Sequence, residues 1–176
     1  MTGINIVPVN FSNNSFLKKI IRELNSRFRS DISLLALDLD IEETYSENRG
    51  QFFSSQIISL SAALTQTIPG KILMITEVDL FVPVLTFVFG EAQLNGKHSL
   101  VSVCRLHEEF YSGISNDELL FQRTMKEILH ELGHCFGLLH CIDWDCVMHS
   151  SQGIEEVDIK GNFYCKVCAP SVEGLK

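Results

Sequence analysis

The chain has 176 residues, enough for one domain with a sizeable core, and its 45% hydrophobic and 20% charged residues exclude a disordered or fibrous protein. A balance of 14 Lys and Arg against 22 Asp and Glu gives a net charge of −8. That leaves no general phosphate-neutralising surface and argues against nucleic acid as a partner.

The longest apolar run, Leu80 to Gly90, is too short to span a bilayer and contains Pro83. The start, Met1 to Pro8, lacks the basic region and long apolar stretch of a secretory signal. The expectation is a cytoplasmic protein with no membrane partner. Ile4 to Val9 reads as a first strand. Asn13 to Arg29 carries Phe16, Leu17, Ile20, Ile21, Leu24 and Phe28 at helical spacing, with a capping cluster at Asn13-Asn14-Ser15. A second strand fits Ile32 to Leu39, and Phe52 to Leu64 repeats the helical pattern. Pro69-Gly70 breaks the chain before a buried strand at Lys71 to Thr76.

Thr86–Gln93 and Ser99–Arg105 are β-rich runs around Asn95-Gly96, a hairpin signal. Ser115-x-x-Glu118 reads as a capping box that opens a helix running to about Phe136. The order β-α-β-α-β, hairpin, long helix, cysteine-bearing tail implies a mixed sheet with helices packed against it, α/β or α+β in class.

His130-Glu131-Leu132-Gly133-His134 places two imidazoles four residues apart on one helical face, where they can share a metal. Gly137 can adopt positive φ, stop the helix and return His140 as a third ligand. Three neutral imidazoles leave a tetrahedral zinc one open position for water, and Glu131 is near enough to take a proton from that water as general base. The competing reading is a solvated helix face shared by His130, His134, Arg123 and Glu127, opposite the stripe Phe121, Met125, Ile128, Leu132. Met148 follows closely and could floor the metal site with its thioether.

Five of the six cysteines fall between positions 135 and 168. Cys141, Cys146, Cys165 and Cys168 form two near pairs that match a closed Cys₄ zinc site, able to pin a tail that reads as loop-like and short of large apolar residues. A disulfide pair is the alternative. Cys135 and Cys104 read as inert core thiols, and His98 and His107 as ordinary surface or loop residues.

Together, His130 to Cys141, Cys146-x-Met148 and Cys165-x-x-Cys168 resemble the archaemetzincins, a branch of the metzincin zinc peptidases. The likeness extends through the preceding element order to nearly the whole chain. It implies a twisted mixed sheet with an antiparallel edge strand, a long active-site helix and a short zinc-stabilised C-terminal subdomain. The chain would then be one metallopeptidase domain, residues 1–176, divided near residue 137.

By the same resemblance His130, His134 and His140 bind a catalytic zinc, Glu131 is the base, and Met148 makes the Met-turn. Cys141, Cys146, Cys165 and Cys168 bind a second, structural zinc. The loop between Met148 and Cys165 is one residue shorter than the family pattern. Ser150 stands where some metzincins carry an oxyanion-steadying Tyr. A peptide or protein substrate is expected to pair with an edge strand in Thr86–Gln93. Two other readings stay open: a non-catalytic zinc protein that kept the fold, and a zinc amidohydrolase on a non-peptide substrate. A long open groove would favour peptides; a small closed pocket would not.

Overall fold

A computed structural model of the chain describes residues 2–176. The strands and helices are β1 (Ile4–Val9), α1 (Asn14–Arg27), β2 (Ile32–Leu34), β3 (Tyr45–Ser46), β4 (Gln51–Phe53), α2 (Ser54–Leu64), β5 (Lys71–Thr76), β6 (Leu80–Phe81), β7 (Gly90–Ala92), β8 (His98–Ser102), α3 (Glu109–Ser112), α4 (Asp117–Cys135) and α5 (Ile154–Ile159). The main sheet has the order β2-β1-β5-β8-β7. Its pairings are parallel except β7 on β8, so an antiparallel strand forms one edge. A small sheet, β3-β4-β6, lies apart from it.

Side chains alternate across the pleat, so each main strand feeds two cores. Ile4, Ile6, Leu73, Ile75 and Val101 join α1 and α4 on one face; Val7, Val9, Ile72, Met74 and Leu100 join α2 on the other. The result is a sheet between helical layers, α/β with an antiparallel edge, as the element order implied. Among the described residues no helix is long and apolar enough to cross a membrane.

Several elements differ from the sequence reading. The second strand ends at Leu34, because the ladder to β1 stops after Leu35 donates to the Ile6 carbonyl at 2.8 Å. Leu35, Leu37 and Leu39 keep their alternation by packing on the α2-side core instead. The hairpin strands shorten to Gly90–Ala92 and His98–Ser102. Val88 bridges to Leu80, and Cys104–Leu106 coils into a 3₁₀ turn. The second helix begins at Ser54, since Gln51–Phe53 extends to pair with β3 and β6.

Asn116, not Ser115, caps α4: its side chain accepts from the Leu119 amide at 3.0 Å, while Glu118 pairs with Lys19. Cys104 is half-buried on the 3₁₀ turn rather than in the core. The tail is not loop-like: α5 and the buried Cys146, Val147, Met148, Val157, Tyr164 and Val172 pack into the same core as α1 and α4. His98 is buried on β8, not at the surface. Its ring bonds Thr65 Oγ1 at 2.7 Å and Gln93 Oε1 at 2.9 Å, so a central strand position wins over the ordinary exposure of histidine.

Candidate active site

Helix α4 carries the site on one long face. Leu120, Met125, Ile128, Leu129 and Leu132 bury one stripe in the core. The opposite stripe, Arg123, Glu127, His130 and Glu131, is buried as well, and Glu127, His130, Glu131 and His134 line a cleft of about 740 Å³. The solvated-face reading is therefore excluded. The helix ends in a Schellman turn: Leu138 N donates to the Gly133 carbonyl at 3.0 Å, Gly137 N donates to that of His134 at 2.9 Å, and Gly137 has φ +91°. Lys71 Nζ donates to the Cys135 carbonyl and Asn95 N to the His134 carbonyl, both at 2.8 Å. The start of β5 and the hairpin turn thus grip the helix end from which His140 turns back.

His130, His134 and His140 come together, with ring centroids 4.7, 5.3 and 5.0 Å apart. One ring nitrogen of each lies within 4.8 Å of the others. His130 Nδ1 donates to the Val147 carbonyl and His134 Nδ1 to the Leu138 carbonyl, each at 2.8 Å. A carbonyl only accepts, so both protons sit on Nδ1 and the two Nε2 lone pairs face each other at 3.1 Å. Two facing lone pairs need a cation. Burial, with Lys160 and His134 nearby, holds His130 well below the usual imidazole range, and burial lowers His134 and His140 too. Three imidazoles kept neutral by burial, two of them with carbonyl-fixed tautomers, fit a zinc ion that keeps an open position.

Glu131 is buried, and burial followed by the Glu127 charge pushes its carboxyl well above the usual carboxylate range. Its carboxylate lies against Gly90 on β7. A Cβ there would stand 2.7 Å from Oε1, 2.8 Å from Cγ of Glu131 and 2.7 Å from the Leu100 carbonyl oxygen. Gly90→Ala is therefore expected to lower kcat by about 10²-fold while zinc content holds, because it displaces the carboxylate rather than removing it. Steady-state kinetics beside metal analysis check this. Met148 is fully buried under Gly133, where a Cβ would meet its sulfur at 2.3 Å. The helix can settle onto the methionine only because that residue is glycine.

Cys141, Cys146, Cys165 and Cys168 bring their four sulfurs within 4.8 Å of one another, all unbridged. Cys141 and Cys165 Sγ are 3.9 Å apart, and Cys165 N donates to Cys146 Sγ at 3.4 Å. Amide donation from Cys168 first, then from Val167, lowers the Cys165 thiol to about 7. Burial raises those of Cys146 and Cys168. Four near sulfurs with N–H donors beside them fit a closed tetrahedral metal site. Cys135 is fully buried, its thiol pushed up to about 11.

Tyr164 donates its hydroxyl to the Leu129 carbonyl at 2.5 Å and Tyr111 to that of Arg105 at 2.8 Å; neither lines the cleft. Sequence reasoning missed Gly90, Glu127 and Lys160. Glu127 carries a legible signal, the same helical face as His130, whereas Gly90 and Lys160 reach the site only through the tertiary fold.

Residues 59–174 match the model of peptidase family M54. The chain is 39% identical to the archaemetzincin of Methanocaldococcus jannaschii, over 96% of this chain and 91% of the relative. It is 37% identical to that of Thermococcus kodakarensis, over 96% and 94%. Among solved structures it is similar to the archaemetzincin of Archaeoglobus fulgidus in complex with malonate (TM-score 0.81, 31% identity, 97% and 99% coverage). A zinc-dependent peptidase of Methanocorpusculum labreanum gives 0.84 at 26% identity, covering 97% and 100%. A chain that shares sequence over nearly its full length with these proteins, and their fold, belongs to peptidase family M54, the archaemetzincins, and is a zinc metallopeptidase.

Proposed function

We propose that this chain hydrolyses peptide bonds with Glu131 as general base, and that His130, His134 and His140 hold the catalytic zinc over the floor made by Met148. The single observation that carries the reading is the set of facing, tautomer-fixed imidazole nitrogens beside a buried carboxylate in an open cleft. When bound, zinc supplies Lewis acidity, making water a better nucleophile and polarising the substrate carbonyl. Glu131 takes the proton of the attacking water as its oxygen bonds to the carbonyl carbon. It then delivers that proton to the amine nitrogen as the C–N bond breaks. Cys141, Cys146, Cys165 and Cys168 hold the second, structural zinc, which ties residues 138–176 to the rest of a single peptidase domain.

The cleft supports a peptide over a small non-peptide amide. It runs beside β7, and a smaller hollow of about 330 Å³ shares Leu85 and Thr86 with it. Gln93 N donates to His98 O and Ser102 N to Phe89 O, so alternate residues turn to β8 and the amides of Gly90 and Ala92 face outward. These are free edge groups for an extended chain to pair with. Ala92→Pro removes one outward N–H and no ladder bond. KM is expected to rise on the order of tenfold with little change in Tm; peptide kinetics beside thermal melts measure both. The reaction itself is tested by incubating the chain with a diverse peptide mixture and reading new termini by mass spectrometry. Cleavage should stop on chelation and return with zinc. No cleavage with zinc bound would favour the non-catalytic reading.

A further inference from the structure

Between β6 and β7 the chain forms a strap, residues 82–88, that makes part of the cleft rim; Leu85, Thr86, Phe87 and Val88 all line the cleft. Its tip is poorly buried, with Val84 88% exposed and Leu85 52%, and no strand pairs with it before Val88 bridges to Leu80. Three of its carbonyls are taken by side chains of the β3–β4 hairpin. Arg49 sits in that hairpin turn, where its amide and that of Gly50 donate to the Ser46 carbonyl at 3.0 and 2.8 Å and Gly50 has φ +66°. Arg49 Nη1 donates to the Leu85 carbonyl at 2.9 Å and Nη2 to that of Pro83 at 3.3 Å, with the guanidinium 4.5 Å over the Phe81 ring. Gln51, buried on β4, donates from Nε2 to the Thr86 carbonyl at 3.1 Å and to Asp79 Oδ2 at 3.0 Å. Asp79 in turn accepts two bonds of 2.7 Å from Arg105, whose guanidinium lies 4.4 Å from the Phe87 ring. The contact between Gly90 and Glu131 does not depend on this lattice, because Gly90 is held in the β7–β8 ladder opposite Val101.

We propose that Arg49 is a substrate-positioning residue: with Gln51 it fixes the strap before substrate arrives, and so suits the cleft to extended oligopeptides rather than to di- or tripeptides. The inference rests on the peptidase reading of the cleft. The strap leads directly into β7, so a peptide paired with the outward amides of Gly90 and Ala92 and extended past Gly90 runs on beside Thr86 and Leu85. The exposed carbonyls of the strap would be satisfied by water in the absence of Arg49, so what the guanidinium adds is a fixed position. Its planar fork spans two carbonyls at once, which an ammonium does not. A strap left loose must be ordered as the peptide binds, and that ordering appears as lost affinity. A short peptide seated beside β7 and the histidines escapes the loss.

The test uses the zinc-loaded Glu131→Gln protein, which holds peptides without turning them over. A capped nonapeptide and a capped tripeptide of alternating Ala and Ser are titrated by calorimetry. Extended, the first spans roughly 30 Å, enough to pass β7 and the strap together, and the second only about 10 Å. Adding Arg49→Ala is expected to weaken nonapeptide binding on the order of tenfold and tripeptide binding by less than about twofold. Amide exchange should quicken in residues 82–88 and stay unchanged elsewhere. Arg49→Lys, which reaches one carbonyl at a time, should recover part of the affinity. Arg49 is exposed, so neither variant opens the core. Absent nonapeptide binding, an unchanged affinity in Arg49→Ala, or an equal loss for both peptides overturns the assignment. Weaker nonapeptide binding without faster exchange in the strap overturns it as well, since Arg49 would then touch the peptide itself. With Glu131 intact, Arg49→Ala should raise KM for the nonapeptide and spare kcat. The expected binding pattern without any cleavage by that chain would count against the peptidase reading and leave the positioning role standing.

Discussion

Replacing Glu131 by Gln is expected to lower kcat by roughly 10²- to 10⁴-fold, the usual worth of a positioned general base, while peptide affinity and zinc content stay near those of the parent. Gln fills the same space against Gly90 and offers the same acceptor atom, but it cannot take the proton of the attacking water. The variant also removes a carboxylate that burial and the neighbouring Glu127 charge both disfavour. Its Tm should therefore equal or exceed that of the parent, a stability gain bought with lost activity. Contaminating proteases cut equally in both samples, so the difference between them reports this chain alone. Full cleavage by the variant would remove Glu131 from the reaction, whatever metal the histidines hold.

The parts of this site that lie close in the chain were legible in the sequence. His130 and His134 share a face because four residues make about one helical turn, and Gly137 ends the helix because it adopts a φ that other residues avoid. The four sulfurs were legible by spacing, since Cys141 and Cys146, like Cys165 and Cys168, stand near one another before folding. What escaped depends on neighbours distant in sequence. Ile32 to Leu39 is rich in strand-forming leucines, but its apolar phase shifts at Leu34-Leu35 and β1 offers it a ladder only as far as Leu35. His98 looks like a loop histidine until β5 and β7 enclose the strand that carries it.

The charged face of α4 is the sharpest case. Sequence left a solvated stripe as the competing reading of the face that Arg123 and Glu127 share with the histidines, yet α5 packs against Arg123 and Glu127 from more than 30 residues away. Asp158 meets Arg123 with two hydrogen bonds at 2.7 Å, and Lys160 meets Glu127. Hydrophobic periodicity marks only the apolar side of a helix. It carries no information about a polar side buried by ion pairs, and that is where this enzyme keeps its chemistry.

Cys165→Ser is expected to reduce bound zinc from two per chain to one and to destabilise the fold by roughly 4 kcal/mol or more, since loss of a metal belongs among the few large single-residue effects. For a chain of this length that amounts to a Tm drop of about 8–16 °C. Serine is a poor zinc ligand at neutral pH, and the other three thiolates would be left crowded without the charge that joins them. The damage should also spread to the cleft. Cys141 directly follows His140, its amide donates to the Met148 carbonyl at 2.9 Å, and Val147, next to Cys146, supplies the carbonyl that fixes the His130 tautomer. Loosening the sulfur cluster therefore loosens the third histidine, the methionine floor and the orientation of the first histidine together, so kcat should fall even while the catalytic zinc is retained. Cys104→Ser is the control: its half-buried thiol lies outside the cluster, and two zinc ions should remain. Metal analysis by mass spectrometry, beside thermal melts of both variants, separates the outcomes. Two zinc ions in Cys165→Ser would show that the four sulfurs do not form a metal site, and that packing alone holds the tail.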